Sequence, residues 1–176
     1  MMFIFKLIFK PSEYWPEFEK DKNSWQEYFF KYALTFGLIG PVLSFISLKD
    51  ISFQKAIIYA PATYIADMTV LFVFSFLTAK LLRMDFSTIM KFYILVNIPI
   101  WLSDVFDIYQ PLRVLSNIGF LYSFYLLYTG LKFFKKEKYI LPVFVIHLVL
   151  YVLNAVLSEV IATNPILKKM IKILTF

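Results

Sequence analysis

The stretch from Asn117 to Leu131 contains no charged residue and is almost entirely apolar or aromatic. A lysine cluster follows it immediately, at Lys132, Lys135, Lys136 and Lys138. An uncharged helix that ends in lysines is typical of a membrane span whose last turn meets the cytoplasm. This stretch therefore predicts a chain that folds in lipid.

The composition of the whole chain supports this prediction. Hydrophobic residues make up 60% of its 176 residues, whereas roughly 45–50% is usual in soluble domains. Because a span needs roughly 20 apolar residues, a chain of this length allows about four to six spans, and one domain is expected. The absence of cysteine excludes disulfides, thiolate metal sites and cysteine nucleophiles. We interpret the +6 net charge as a topology signal, because the lysines flank apolar runs.

The predicted fold class is an all-α integral membrane protein, a bundle of five transmembrane helices with short interfacial amphipathic helices at both ends. The predicted spans cover residues 28–48, 53–82, 86–106, 112–134 and 139–162, within a membrane domain of residues 28–163. Residues 1–27 form an N-terminal segment at the cytoplasmic interface. Residues 164–176 form an amphipathic helix, whose Lys168, Lys169 and Lys172 are expected to contact lipid headgroups.

The distribution of lysine and arginine predicts the orientation. With five spans, the N-terminus and the loops at residues 80–85 and 132–138 share one side and carry most of the basic residues. The positive-inside rule then places the N-terminus in the cytoplasm, and the membrane is the inner or plasma membrane. The C-terminal lysines argue the other way, but an interfacial helix can snorkel its lysines towards phosphates on either face.

Small residues form a row along one side of the fourth predicted span, at Ser116, Gly119, Ser123 and Gly130. Such a row lets another helix approach closely, which is how helices associate in lipid. It permits a homo-oligomer or a protein partner without requiring one. The expected partners are therefore membrane lipids and, through these faces, a second protein; nucleic acid is not expected.

Several motifs resemble the Yip1-domain family of small polytopic membrane proteins. The run Tyr122–Leu131 resembles the family signature, and Pro11–Trp15 resembles its N-terminal P-x-x-x-W element. Ile39–Pro41 and Ile98–Leu102 resemble its first span and its P-x-W-L third span, in the same order. The resemblance implies a non-enzymatic scaffold or adaptor, since eukaryotic members are linked to vesicle trafficking and Rab GTPase binding. Because the segment before the first span is short, we do not expect Rab binding to carry over.

Polar residues fall within the predicted spans, and Asp67 lies at the middle of the second. An ionised aspartate at mid-bilayer costs about 2.5–3.5 kcal/mol on insertion scales, so it needs a proton, water or a partner. His147, the only histidine, lies at a similar depth, as does Asn97. Tyr151 and Asn154 share a helix face with His147. We therefore predict that these five side chains converge in one buried cluster.

Two interpretations of this cluster stay open. Hydrogen bonds between helices contribute about 0.6–2 kcal/mol each and fix helix register, which is the structural interpretation. The functional interpretation is a site that responds to protons or ions, since intramembrane aspartate and histidine mark ion pathways.

A second charged group is predicted near the outer face. It comprises Asp104, Asp107, Arg113 and Glu159. An ion-pair belt is one interpretation and a cation site is the other, although no recognisable calcium loop is present.

The sequence lacks the motifs of the common enzyme classes. It contains neither H-E-x-x-H nor G-x-S-x-G, and its four glycines cannot build a phosphate-binding loop. We therefore expect no catalytic residues, no cofactor and no metal. The first functional hypothesis is a non-enzymatic scaffold or adaptor that organises the membrane or partner proteins. The alternative is a small transporter, channel or lipid-handling protein, which a water-filled cavity reaching Asp67 would favour.

Overall fold

The computed structural model describes residues 2–165, 169 and 173, and these residues are helical or lie in short turns. The helices are α1 (Met2–Phe9), α2 (Pro11–Lys20), α3 (Trp25–Tyr28), α4 (Leu34–Gly37), α5 (Ile39–Leu82), α6 (Phe86–Ser103), α7 (Ser116–Phe133) and α8 (Ile140–Thr163). A π-helical segment, Phe29–Ala33, joins α3 to α4. Three 3₁₀ segments cover Asp104–Ile108, Gln110–Leu115 and Glu137–Tyr139.

The first predicted span is irregular, and the chain then turns back on itself. It begins at a capping box in which Ser24 and Glu27 satisfy each other's backbone amides. The π-helical segment Phe29–Ala33 is its first irregularity. The span is broken a second time at Leu38, just before Gly40 and Pro41. Further along α5, Ser52 has an extended backbone at φ −160° and ψ 100°. The chain before this kink folds back against the second half of α5, since a Cβ atom at Gly37 in α4 would lie 2.7 Å from Met68 and 3.5 Å from Tyr64.

Four stretches of the described chain are long and apolar enough to cross a membrane. They are Trp25–Ser47, Lys55–Leu82, Phe86–Ile108 and Glu137–Ile161. Helix α7, which corresponds to the fourth predicted span, does not reach that hydropathy because it contains Tyr122, Tyr125 and Tyr128. The all-helical membrane fold is confirmed, whereas the count of five spans stays a prediction.

Helix α6 lies at the centre of the bundle, and α7 packs along it. In the stretch that contains α6, 67% of the apolar part is buried, compared with 17% in each of the stretches that contain α4 and α8. A Cβ atom at Gly119 would overlap Pro99 and Ser103, and one at Gly130 would overlap the ring of Phe92. Helix α7 therefore runs antiparallel to α6 at the close approach that small residues allow. This face is filled within the chain, so a homo-oligomer or a protein partner, which the sequence permits, would need a different face.

The N-terminal helices pack onto the bundle. Trp15 is 1% exposed, and its Nε1 donates a hydrogen bond to Thr129 Oγ1 at 3.0 Å. The Tyr122 hydroxyl donates to the backbone oxygen of Ile8. Phe5 and Phe9 point away from these contacts and remain 58% and 67% exposed. The aromatic face of α2 is therefore part of the core, while α1 keeps an apolar outer edge.

Lys91 of α6 holds the loop between α2 and α3. The side chain is 8% exposed, and its Nζ donates to the backbone oxygens of Asp21 at 3.2 Å and Asn23 at 3.1 Å. The ammonium also lies 5.3 Å from the ring centroid of Phe18 and 5.4 Å from that of Tyr28. Burial alone would raise the pKa of Asp21, but hydrogen bonds from Tyr28 and Asn23 lower it below its usual value. Lys91 thus joins the N-terminal segment to the central helix.

The predicted C-terminal helix falls largely outside the described residues. Helix α8 ends at Thr163, and Asn164 is extended. The backbone is helical at Pro165, Lys169 and Ile173, whereas Lys168 and Lys172 lie outside the described residues. Their contact with headgroups stays a prediction.

Candidate functional site: an acidic cavity within the bundle

A cavity of about 410 Å³ lies between α5, α6 and α8, next to the start of α7. Along α8 it extends from His147 to Glu159, which corresponds to about 18 Å of helix. His147 at its inner end is buried, whereas Asp107 and Glu159 at its other end are exposed. The cavity therefore opens at the end of the bundle opposite to α1 and α2 and narrows towards the middle.

The five side chains predicted to converge all line this one cavity. They are Asp67, Asn97, His147, Tyr151 and Asn154. Their placement is a geometric result, and whether they have a functional role stays a prediction.

Asp67 and Asn154 form a direct pair between α5 and α8. The Asn154 Nδ2 donates a hydrogen bond to Asp67 Oδ1. The other end of the amide, Asn154 Oδ1, is buried without a hydrogen-bond partner. A buried acceptor without a donor normally costs about 1–3 kcal/mol, and in native proteins water or a ligand usually satisfies it. This pair therefore leaves an open acceptor in the wall of the cavity.

His147 is held by α7 through Ser123. The Ser123 Oγ lies 2.7 Å from His147 Nε2 and 2.6 Å from the backbone oxygen of Phe120. Because the carbonyl can only accept, the single hydroxyl proton goes to Phe120, and Nε2–H of the neutral ring then donates to Ser123. This tautomer leaves Nδ1 as an acceptor. The ring is 5% exposed and stacks on Phe120.

Asn97 and Tyr151 lie in the same cavity but do not pair with Asp67. The Asn97 Nδ2 donates to the backbone oxygen of Tyr93, one turn earlier on α6, at 2.8 Å. The ring of Tyr151 stacks on Phe120 with the ring centroids 3.8 Å apart. The predicted cluster is thus two hydrogen-bonded pairs and two neighbouring polar side chains around open space, rather than one continuous network.

The predicted outer group also meets this cavity. Asp104, Asp107 and Glu159 line it together with Asp67. Asp104 packs so closely against the break in the first span that a Cβ atom at Gly40 would lie 2.6 Å from its Oδ2. The side chain of Arg113 lies outside the described residues, so the ion-pair interpretation is not tested. Asp104, Asp107 and Glu159 therefore line the same cavity as the five side chains of the predicted cluster.

The lining of the cavity is electronegative and aromatic. None of its described side chains is a lysine or an arginine. Four further aromatic residues contribute to it, namely Tyr59, Phe74, Tyr93 and Trp101. The described residues contain no group of three or more His, Asp or Glu side chains that could hold a metal ion. Such a site is suited to a positively charged ligand that is larger than a bare ion.

Two features of the site were missed from the sequence. The aromatic lining was not recognised, because in a chain with 20% aromatic residues a ring near a polar face is not distinctive. Ser123 was interpreted as a small packing residue, and only the approach of α8 shows that it binds His147. Helical spacing on α7 does not reveal which neighbour a serine will face.

Comparison with known families decides what kind of protein this is. The model of the Yip1 domain matches residues 5–163. The chain belongs to the Yip1-domain family. This confirms the resemblance carried by the sequence motifs and agrees with an integral membrane protein that is not of a known enzyme family. Comparison with curated proteins and with solved structures gives no match.

Proposed function

We propose that this Yip1-family protein takes up a small, positively charged ligand through its acidic cavity, and so acts in transport or lipid handling. The observation that carries this proposal is that four acidic side chains line one cavity, namely Asp67, Asp104, Asp107 and Glu159. Carboxylates inside a bundle are costly, and they mark substrate and ion pathways. The broken first span beside Asp104 agrees with this function, because transporters place sites next to interrupted helices.

A scaffold or adaptor role, as the family resemblance implies, is the second candidate. The observation that favours it is the exposed edge of α1, where the rings of Phe5 and Phe9 lie 4.6 Å apart outside the apolar spans. Such an edge suits insertion into the lipid interface or contact with a partner protein. Neither candidate involves catalysis.

Ligand binding separates the two candidates. Purified protein in detergent is titrated with small cations and with anions of similar size, and the unfolding temperature is recorded. We expect cations alone to stabilise the fold, by about 2.7 kcal/mol at a concentration 100 times the dissociation constant. Absence of stabilisation by every cation, together with capture of one defined protein partner, would refute the cavity function and support the scaffold.

We further propose a five-span topology, with the N-terminus in the cytoplasm and the cavity open to the outer side of the inner or plasma membrane. The antiparallel course of α7 along α6 supports a fifth crossing, and the basic loops support the orientation. In this arrangement Lys168, Lys169 and Lys172 would contact headgroups of the outer leaflet.

Labelling of single cysteines tests the topology, because the natural chain has none. In intact cells, a membrane-impermeant maleimide should label Tyr109→Cys, whereas Glu137→Cys should react only after permeabilisation. Both side chains are exposed, so differences in burial do not account for the contrast. The reverse pattern would invert the proposed orientation, and labelling of both in intact cells would refute the crossing by α7.

A further inference from the structure

The inner end of the cavity offers hydrogen-bond acceptors that have no donor. Asn154 Oδ1 is buried and unpartnered, and it lies on the residue that binds Asp67. His147, which also lines the cavity, is held separately by its hydrogen bond with Ser123. Asp67 adds a carboxylate with further acceptor capacity. A ligand that completes this end must therefore donate several hydrogen bonds.

The same end is unsuited to the other common cationic ligands. A bare metal ion would need several close ligands, and the described residues contain no such group. A quaternary ammonium could stack on Tyr93, Trp101 or Tyr151 by cation–π attraction, but it has no N–H to donate. It would leave Asn154 Oδ1 unsatisfied, which costs about 1–3 kcal/mol.

We infer that the cavity binds a primary ammonium group, with its N–H donors directed at Asp67 and Asn154 and the rest of the ligand extending towards Asp104 and Glu159. This inference rests on the proposed function and specifies its ligand class. The ammonium completes the hydrogen bonding at the inner end, and the aromatic lining surrounds its carbon chain. Both a free amine and the headgroup of an aminophospholipid carry this chemistry.

Ethanolamine and choline provide the test, since they differ by three N-methyl groups. Each is titrated calorimetrically into the full-length protein in nanodiscs of phosphatidylcholine, next to sodium, potassium and magnesium chloride. Ethanolamine is expected to bind at least tenfold more tightly than choline, because one unsatisfied acceptor corresponds to about that factor. Equal or tighter binding of choline would show that the aromatic lining alone selects the ligand, and would overturn the inference.

Two variants test whether Asn154 gives the preference for ethanolamine over choline. Asn154→Leu should reduce the preference for ethanolamine over choline by at least tenfold. Asn117→Leu, the same change at an exposed position of α7 outside the cavity, should keep that preference. If Asn154→Leu fails to fold, the ratio of ethanolamine to choline affinity in the natural protein still decides the question.

The remaining outcomes distinguish a lipid headgroup from a free amine as the ligand. They also distinguish failure of the ammonium inference from failure of the proposed function. Loss of ethanolamine binding when phosphatidylethanolamine is added to the nanodiscs would support the lipid headgroup, and unchanged binding would support the free amine. Binding of inorganic cations without any amine would overturn the ammonium inference and leave the proposed function standing. Absence of binding by every cation would overturn both.

Discussion

Replacing Asp67 by asparagine is expected to weaken binding of the cationic ligand at least roughly 30-fold. Removing one partner of a buried, hydrogen-bonded charge pair costs about 2–5 kcal/mol, and each 1.4 kcal/mol corresponds to a factor of ten. Asp67 is less exposed than Asp107 and Glu159, which also line the cavity. Its substitution therefore removes a carboxylate that water replaces poorly.

This substitution keeps the shape of the side chain and its role as a hydrogen-bond acceptor, but not its role as a negative charge. An asparagine oxygen at position 67 can still accept the hydrogen bond from Asn154 Nδ2. The connection between α5 and α8 is thus preserved while the negative charge is lost. The unfolding temperature without ligand should consequently change little, whereas the affinity measured by calorimetry should fall.

The control is Glu19→Gln, which removes one negative charge from an exposed position outside the cavity. It should bind the ligand as the natural protein does. If Asp67→Asn binds as tightly as this control, the carboxylate is not part of the site. If Asp67→Asn instead fails to assemble while Glu19→Gln folds, Asp67 serves as a structural connection between helices, the alternative left open by the sequence.

Replacing Lys91 by methionine is expected to destabilise the protein by about 2–5 kcal/mol. The change removes two hydrogen bonds from the buried ammonium to the backbone oxygens of Asp21 and Asn23, and a hydrogen bond to a charged group contributes about 1.5–3 kcal/mol. It also removes the cation–π contacts with Phe18 and Tyr28. Methionine has nearly the same length, so the effect reports on the ammonium group rather than on lost packing.

Two measurements test the predicted loss of stability. Denaturant unfolding in detergent gives the change in free energy, and limited proteolysis should cleave the variant faster between Lys20 and Trp25, because this loop loses its attachment to α6. The control is Lys10→Met, since Lys10 pairs with Glu13 at 3.1 Å on the exposed surface, where such pairs contribute less than about 1 kcal/mol. Equal stability of the two variants would mean that Lys91 does not hold the N-terminal segment.

Much of the candidate site could be predicted because helical periodicity determines which side chains share a face. Asp67 and His147 were assigned to interior faces because charged and polar groups in hydrocarbon must turn towards one another. The structure brings both to one cavity. By contrast, the sequence did not show that Asp104 and Glu159, which were assigned to an outer belt, line the same cavity. Spacing along a helix does not reveal how far an empty space extends between helices.

The sequence by itself determined the membrane environment, the helical class and the family. Long apolar segments with few charges must hydrogen-bond their own backbone in lipid, and the helix is the solution within one segment. Only the tertiary structure decided that Asn154 partners Asp67, that Ser123 binds His147 and that Lys91 holds the N-terminal loop. These contacts join residues far apart in the chain. They depend on how α5, α6, α7 and α8 pack around the cavity, and the sequence of a single helix does not determine that packing.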